Sequence, residues 1–129
     1  MAGGYYLVTV ATQKRCPHFL TFEDACCASR SFYHPRVADS ATTLSFVVMP
    51  DHIHWLLLLN GKLSEAVRCY KSYVSLGVGE RIWQDGFHDR MIRQEEDLKA
   101  VARYIVGNPL RAGLVSNINH YSFWDAAWL

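Results

Sequence analysis

Two apolar segments with a two-residue break between them constrain the fold of this chain more than any other feature. Residues 42–49 and 54–59 are rich in β-branched, aromatic and leucine side chains, and Pro50 and Asp51 stand between the two segments. Proline cannot donate to a strand ladder, and the Pro-Asp pair favours a turn, so the pattern predicts the two strands of a hairpin. The chain is therefore expected to contain an antiparallel sheet.

The other segments alternate between strand-like and helical patterns. Strands are predicted over residues 5–12 and around residues 86–92, where β-branched or aromatic side chains recur. Helices are predicted over residues 22–33, 64–75 and 95–106 from their start and stop signals. The order β-α-β-β-α-β-α predicts an α+β fold, a ferredoxin-like antiparallel sheet with helices on one face.

The composition is that of one folded domain. The chain has 129 residues, of which 50% are hydrophobic and 19% charged, and no repeat or linker divides it, so we expect a single domain over residues 1–129. Its longest strongly apolar stretch, residues 55–59, is far shorter than the roughly 20 residues of a membrane helix, which favours a cytoplasmic protein. The net charge of +1 excludes a generally basic surface, so any DNA contact must be local.

The sharpest local feature is His52-Ile53-His54. Alternate residues of a strand point to the same side, so the two imidazoles are expected to lie close together and to suit a divalent metal. Apolar residues on both sides make this strand poorly hydrated, where two histidines without a task are costly. The alternative is a pair of core histidines satisfied by backbone carbonyls, and the motif alone leaves that alternative open.

The last predicted helix offers a nucleophile and a further ligand. Tyr104 and Asn108 are four residues apart, which puts the hydroxyl and the amide on one helical face if the helix continues that far. Pro109 biases Asn108 away from helical angles, so the pairing requires one last helical turn. For Tyr104, the alternative is a core aromatic residue.

Two segments resemble the motifs of known enzymes. VVMPDHIHWLLLL, residues 47–59, resembles the histidine-hydrophobe-histidine motif of the HUH endonucleases, and YIVGNPLRAGLV, residues 104–115, resembles the tyrosine motif of the REP-associated tyrosine transposases. The intervening LSEAVRCYKSY and IWQDGFHDRMIR and the N-terminal YYLVTV are also similar to that family. The resemblance thus covers nearly the whole chain, and two motifs in the expected order are far more specific than either alone.

The resemblance implies roles for four residues. His52, His54 and Asn108 would ligate Mg²⁺ or Mn²⁺, metals that prefer oxygen and tolerate imidazole, and Tyr104 would be the nucleophile. The implied substrate is single-stranded or hairpin DNA. The implied enzyme is an endonuclease and transposase that cleaves and rejoins strands through a covalent 5′-phosphotyrosine. Relatives include dimers that exchange the tyrosine helix, so a homodimer is compatible with the resemblance.

Basic residues near these motifs are candidates for phosphate contacts. Arg68 and Lys71 fall on the second predicted helix, Arg90 and Arg93 flank the short strand before the tyrosine helix, and Arg111 follows that helix. Each is equally compatible with an exposed charge that has no partner.

Two other functions compete with the transposase. A catalytically silent protein of the same fold would bind hairpin or single-stranded DNA without cutting it, and it would have no chemical need for Tyr104, Asn108 and both histidines. A phosphohydrolase of the histidine-triad kind would require a third alternating histidine, whereas position 56 is Leu. The sequence therefore favours the transposase.

Overall fold

The computed structural model of the protein describes residues 3–93, 95–113 and 123–126. Within these residues, one sheet contains five strands: β1 (Tyr5–Ala11), β2 (Ala41–Met49), β3 (His52–Leu59), β4 (His88–Ile92) and β5 (Trp124–Ala126). The α-helices of the same residues are α1 (Phe22–Ser31), α2 (Pro35–Ala38), α3 (Leu63–Val78), α4 (Glu95–Val106) and α5 (Asn108–Arg111). No helix in this part of the chain is both long enough and apolar enough to cross a membrane.

The sheet has the ferredoxin-like arrangement that the sequence predicts. The strand order is β4-β1-β3-β2-β5, and every neighbouring pair is antiparallel. β3 lies between β1 and β2, so the connection from β1 through α1 to β2 crosses over a strand, as does the connection from β3 through α3 to β4. The predicted α+β fold is therefore confirmed, and β5 extends the sheet beyond β2.

Most element bounds agree with the sequence pattern. α4 has the predicted bounds, whereas α3 continues to Val78 and ends at Gly79, whose φ of 95° gives it the left-handed conformation that closes many helices. β3 begins at His52, two residues earlier than its apolar segment predicts, so both histidines lie on the strand. The short elements α2, α5 and β5 had no periodic pattern long enough to predict them.

One face of the sheet and the helices α1 and α3 enclose the larger core. Trp55 of β3 lies at its centre, fully buried, and its indole N–H donates to Thr43 Oγ1 at 2.9 Å. Phe32 and Tyr70 pack against the Trp55 ring with centroid distances of 5.2 and 5.3 Å. The prediction of helices on one face holds for these two helices.

α4 covers the opposite face, which corrects the prediction that all the helices share one face. Its buried side chains Leu98, Ala102 and Ile105 belong to a second cluster that includes Val47 and Leu56 of the sheet. The reason is that residues 45–49 of β2 are all buried, so the strand is covered on both faces. His52 and His54 lie on this second face. Side chains two residues apart on a strand point to the same side, and Leu56, which follows the histidines at that spacing, belongs to the cluster under α4.

Candidate active site

His52 and His54 lie side by side at the start of β3. Their ring centroids are 4.9 Å apart and the ring planes meet at 82°. Both side chains are half-buried. The structure thus brings together the two histidines that the sequence pairs, on the face that α4 covers.

Each imidazole is held through its Nδ1 atom. His52 Nδ1 lies 2.7 Å from Asp51 Oδ1, and His54 Nδ1 lies 2.9 Å from Thr9 Oγ1. A carboxylate only accepts, so the Asp51 contact assigns the His52 proton to Nδ1 and leaves a lone pair on Nε2. Metal-binding histidines usually have this arrangement, with one ring nitrogen on a polar neighbour and the other on the metal. Neither imidazole donates to a backbone carbonyl of the described residues, and each is paired with a side chain instead.

The surroundings keep His54 uncharged and Asp51 charged. Burial lowers the pKa of His54 to about 4, and the electrostatic effects of His52, Arg111 and Arg15 act in the same direction. Burial tends to raise the pKa of Asp51, but hydrogen bonds from Arg15 and His52 outweigh it and lower that pKa. At neutral pH His54 is therefore uncharged, and a metal would not have to compete with an imidazolium proton there.

Tyr104 lies on the outer side of α4. Its side chain is 63% exposed, whereas its neighbour Ile105 turns toward the sheet and is buried. The guanidinium carbon of Arg111 lies 3.8 Å from the centre of the Tyr104 ring, and Arg111 Nη2 also donates to the Tyr104 carbonyl. Among the described residues, no side chain or backbone group hydrogen-bonds to the Tyr104 hydroxyl. Tyr104 is therefore not a core aromatic residue, and its hydroxyl is open to a ligand.

Asn108 begins a short helix of its own, just beyond the tyrosine helix. α4 ends at Val106, Gly107 keeps right-handed helical angles, and Arg111 N donates to Gly107 O at 3.1 Å. The last helical turn, which the pairing of Tyr104 with Asn108 requires, is thus present as the separate helix α5. Pro109 lies in its first turn, where a backbone N–H would have no partner within the helix. The Asn108 amide oxygen accepts from Arg111 Nη2 at 2.5 Å.

Arg111 contacts both Tyr104 and Asn108, and it acts on His54 only through its charge. In the part of the chain that the structure describes, no three His, Cys, Asp or Glu side chains lie together as metal ligands. A cation at the histidine pair would therefore take its other ligands from amide, water or phosphate oxygens, which are donors that Mg²⁺ and Mn²⁺ accept.

The similarity to known proteins extends over nearly the whole chain. A curated protein of Haemophilus influenzae, named as a REP-associated tyrosine transposase, is 26% identical over 140 aligned positions that cover 94% of this chain and 78% of that protein. A solved structure of a REP-associated tyrosine transposase bound to a REP hairpin is also 26% identical, with a TM-score of 0.76 and coverage of 96% of this chain and 77% of that one. This chain is a relative of the REP-associated tyrosine transposases.

The predicted resemblance and the predicted enzyme class, a transposase, are confirmed by these two relatives. A transposase structure from Deinococcus radiodurans has the same fold. It is 16% identical to this chain, with a TM-score of 0.55, and the match covers 78% of this chain and 87% of the Deinococcus chain. No protein-family profile matches the chain.

Three of the candidate DNA-binding residues are exposed, and one of them, Arg90, shares a face of the sheet with the histidine pair. Arg90 lies opposite Leu7 in the register of β1 and β4, and Leu7 belongs to the cluster under α4. Arg111 lies beside the candidate nucleophile. Arg93 is exposed just beyond the end of β4. These three positions are open to a bound strand.

The other two candidates, Arg68 and Lys71, lie on α3, which covers the opposite face. Arg68 forms an ion pair with Glu65. Lys71 Nζ donates to the carbonyl oxygens of Gln84 and Gly86 at 3.0 and 2.7 Å, and burial lowers its pKa. The Arg68 ion pair is solvent-exposed, whereas Lys71 is held by backbone carbonyls, and the structure does not bring either charge to the histidine pair.

Sequence reasoning missed three residues that surround the histidines. Asp51 carried a signal, because it directly precedes His52, but the Pro-Asp pair indicated only a turn. Thr9 reaches His54 because the two residues are partners in the register of β1 and β3, which the sequence does not reveal. Arg15 donates through Nε to Asp51 Oδ2 at 3.0 Å, and its position depends on a turn with unusual backbone angles.

Proposed function

We propose that this protein is a metal-dependent single-stranded DNA endonuclease and transposase that cleaves and rejoins DNA through a covalent 5′-phosphotyrosine. The observation that carries the proposal is the fixing of both imidazoles through Nδ1, by Asp51 and Thr9. This arrangement leaves Nε2 of His52 and of His54 for a cation. A protein that only bound DNA would have no use for such a pair. The similarity to named transposases in sequence and structure, which extends over nearly the whole chain, also supports the proposal.

His52, His54 and Asn108 are the residues proposed to hold Mg²⁺ or Mn²⁺. When bound, the cation would polarise the scissile phosphate and stabilise a phenolate. The Asn108 oxygen has two lone pairs, so its contact with Arg111 leaves one for a metal. Two imidazoles and one amide leave the remaining positions to water and phosphate oxygens, as these metals prefer.

Tyr104 is the proposed nucleophile. A phenol is a weak nucleophile while it keeps its proton, so positive charge beside the ring, here from Arg111, favours the reaction. In the proposed step the Tyr104 oxygen bonds to phosphorus, and the bond from phosphorus to the 3′-oxygen breaks. The tyrosine proton passes to solvent, and the leaving 3′-oxygen takes up a proton. Attack by a 3′-hydroxyl on the phosphotyrosine reverses the step and rejoins DNA without an external energy source.

The proposed substrate is a DNA hairpin with a single-stranded flank. The solved relative that matches 96% of this chain is a REP-associated tyrosine transposase bound to a REP hairpin. Arg90, Arg93 and Arg111 are the residues we favour for phosphate contacts, because all three are exposed, Arg90 shares a face of the sheet with the histidines, and the charge of Arg111 acts on His54. We also propose that residues 1–129 work as one domain in the cytoplasm, where DNA is accessible.

The test is a search for a covalent protein–DNA adduct. Hairpin oligonucleotides with randomised single-stranded flanks are labelled at the 3′ end and incubated with the protein and Mn²⁺, then separated on a denaturing gel. The proposed linkage to a 5′-phosphate predicts that label shifts to the protein band. The same oligonucleotides labelled at the 5′ end should give only shortened DNA.

Variants separate the proposed roles. Tyr104→Phe and His52→Ala should both abolish the adduct, and so should EDTA with the wild-type protein. Tyr33→Phe is the matched control, because Tyr33 is also exposed, at 51%, but lies outside the site. An adduct that survives Tyr104→Phe would overturn the nucleophile assignment. Hairpin binding by the wild type with no adduct under any condition would instead indicate a silent DNA-binding protein.

A further inference from the structure

Arg15 lies beside the histidine pair on a turn with an unusual backbone. Lys14 and Arg15 have φ of 54° and 55°, in the left-handed region that residues with a side chain seldom adopt. Such conformations persist only where the surrounding structure enforces them, and they cluster at functional sites. The turn follows directly after β1 and packs against the Pro50-Asp51 turn that precedes the histidines.

Thr12 fixes this turn to the Pro50-Asp51 turn. Its side chain is fully buried, and Oγ1 lies 2.8 Å from the carbonyl oxygen of Cys16 and 3.0 Å from that of Asp51. Thr12 N donates to the same Asp51 oxygen at 3.0 Å, and Arg15 N donates to Thr12 O at 3.1 Å. The position of Arg15 relative to His52 is therefore set by buried contacts.

The guanidinium of Arg15 has more donors than the protein uses. Its Nε donates to Asp51 Oδ2 at 3.0 Å, and its Nη2 lies 3.3 Å from His52 Nδ1. That imidazole nitrogen already carries the proton that it gives to Asp51, so it cannot accept from Arg15. Of the five N–H groups of the guanidinium, one is thus paired within the described residues, and the side chain is 58% exposed. A guanidinium held on one edge and open on the other suits a phosphate, which accepts from two N–H groups at once.

We propose that Arg15 binds a phosphate of the DNA at the histidine pair. The inference rests on the proposed function, because it takes the same strand as its ligand. Asp51 then serves two neighbours, since one carboxylate oxygen orients His52 and the other orients Arg15. Arg15 supplies a fixed positive charge from the turn after β1, whereas Arg111 supplies one from α5. The phosphate at the site would be held from two separate elements.

The experiment measures how salt affects hairpin binding, in a Tyr104→Phe background that prevents cleavage. A fluorescent hairpin with a single-stranded flank is titrated at several KCl concentrations with Arg15→Gln, Arg15→Lys and the parent protein. Loss of one phosphate contact on a single strand lowers the slope of log K against log [salt] by about 0.7. We expect Arg15→Gln to show that decrease together with about tenfold weaker binding. Arg15→Lys should keep the slope, because it keeps the charge.

Arg36→Gln is the matched control. Arg36 is exposed and lies on α2, which packs against α3 on the other side of the sheet, so its replacement removes the same charge away from the site. We expect neither the slope nor the affinity to change in this variant. Thermal melting of every variant shows whether the fold is intact, and if Arg15→Gln melts early, Arg15→Met takes its place, because it removes the same charge and keeps the apolar stem of the side chain.

A purely structural role for Arg15 predicts a different pattern. If Arg15 only steadies Asp51 and His52, Arg15→Gln weakens Mn²⁺ binding in calorimetry and leaves the salt slope unchanged, and this outcome would overturn the proposal. An unchanged slope with unchanged Mn²⁺ affinity would overturn it as well. If the wild type forms no covalent adduct but Arg15→Gln still lowers the slope, the proposed nuclease fails while the phosphate contact of Arg15 stands.

Discussion

Lowering the pH should destabilise the metal-free protein through His54. This imidazole is half-buried against Thr9, and burial together with neighbouring positive charge lowers its pKa from 6.5 to about 4. Between these two values the unfolded chain takes up a proton at His54 that the folded protein does not. The stability is therefore complete above pH 6.5 and is lost as the pH falls toward 4.

The size of the effect follows from the two pKa values. Each pKa unit is worth about 1.36 kcal/mol, so the loss attributable to His54 is about 3 kcal/mol by pH 4. A domain of this size unfolds in urea with a slope of about 1.5 kcal/mol per molar, so this loss should lower the midpoint by about 2 M. The decrease should be steepest between pH 6 and 4.

The assay is urea unfolding in EDTA, followed by tryptophan fluorescence at pH 7, 6, 5 and 4. Other carboxylates also titrate in acid, so His54→Asn serves as the reference, because it lacks the imidazole and keeps a polar group for Thr9. The wild type should lose about 3 kcal/mol more than this variant between pH 7 and pH 4. Parallel losses in the two proteins would refute the assignment of His54 as a buried neutral imidazole.

Three further predictions follow from the same contacts. Asp51→Ala removes the carboxylate that orients one imidazole and should weaken Mn²⁺ binding about 10- to 100-fold in calorimetry; equal affinity would contradict the orienting role. Thr43→Val leaves the buried indole N–H of Trp55 without an acceptor and should lower the free energy of unfolding in urea by about 1–3 kcal/mol, whereas no loss would show that another group accepts. Mixing His54→Ala with Tyr104→Phe should not restore adduct formation if each chain completes its own site, and recovery would show that subunits exchange the tyrosine helix.

The sequence predicts the main elements well, because their patterns are local. The apolar segments around Pro50 and Asp51 predict the hairpin of β2 and β3, and the signals around residues 95–106 predict α4 with its observed bounds. The alternation of His52 and His54 along an extended strand also predicts their side-by-side placement. These inferences depend only on the spacing of residues within one segment, which can be read from the sequence.

The rest of the site depends on contacts between distant segments. Thr9 meets His54 only through the register of β1 against β3. Arg15 reaches Asp51 because Lys14 and Arg15 have positive φ. Neither residue is a glycine, so the sequence does not predict a left-handed turn at this position. The packing of α4 on the second face depends on how the apolar residues of β2 divide between the faces, and a continuous apolar run does not specify which helix covers which side.

Peptide mapping of the covalent adduct would identify the nucleophile. The protein is incubated with a hairpin oligonucleotide and Mn²⁺, the DNA is trimmed with nuclease, and the protein is digested and sequenced by mass spectrometry. We expect one modified peptide, with a nucleotide joined through its 5′-phosphate to Tyr104. A nucleotide on another tyrosine such as Tyr33, a 3′-phosphate linkage, or cleaved DNA with no modified peptide would contradict this expectation.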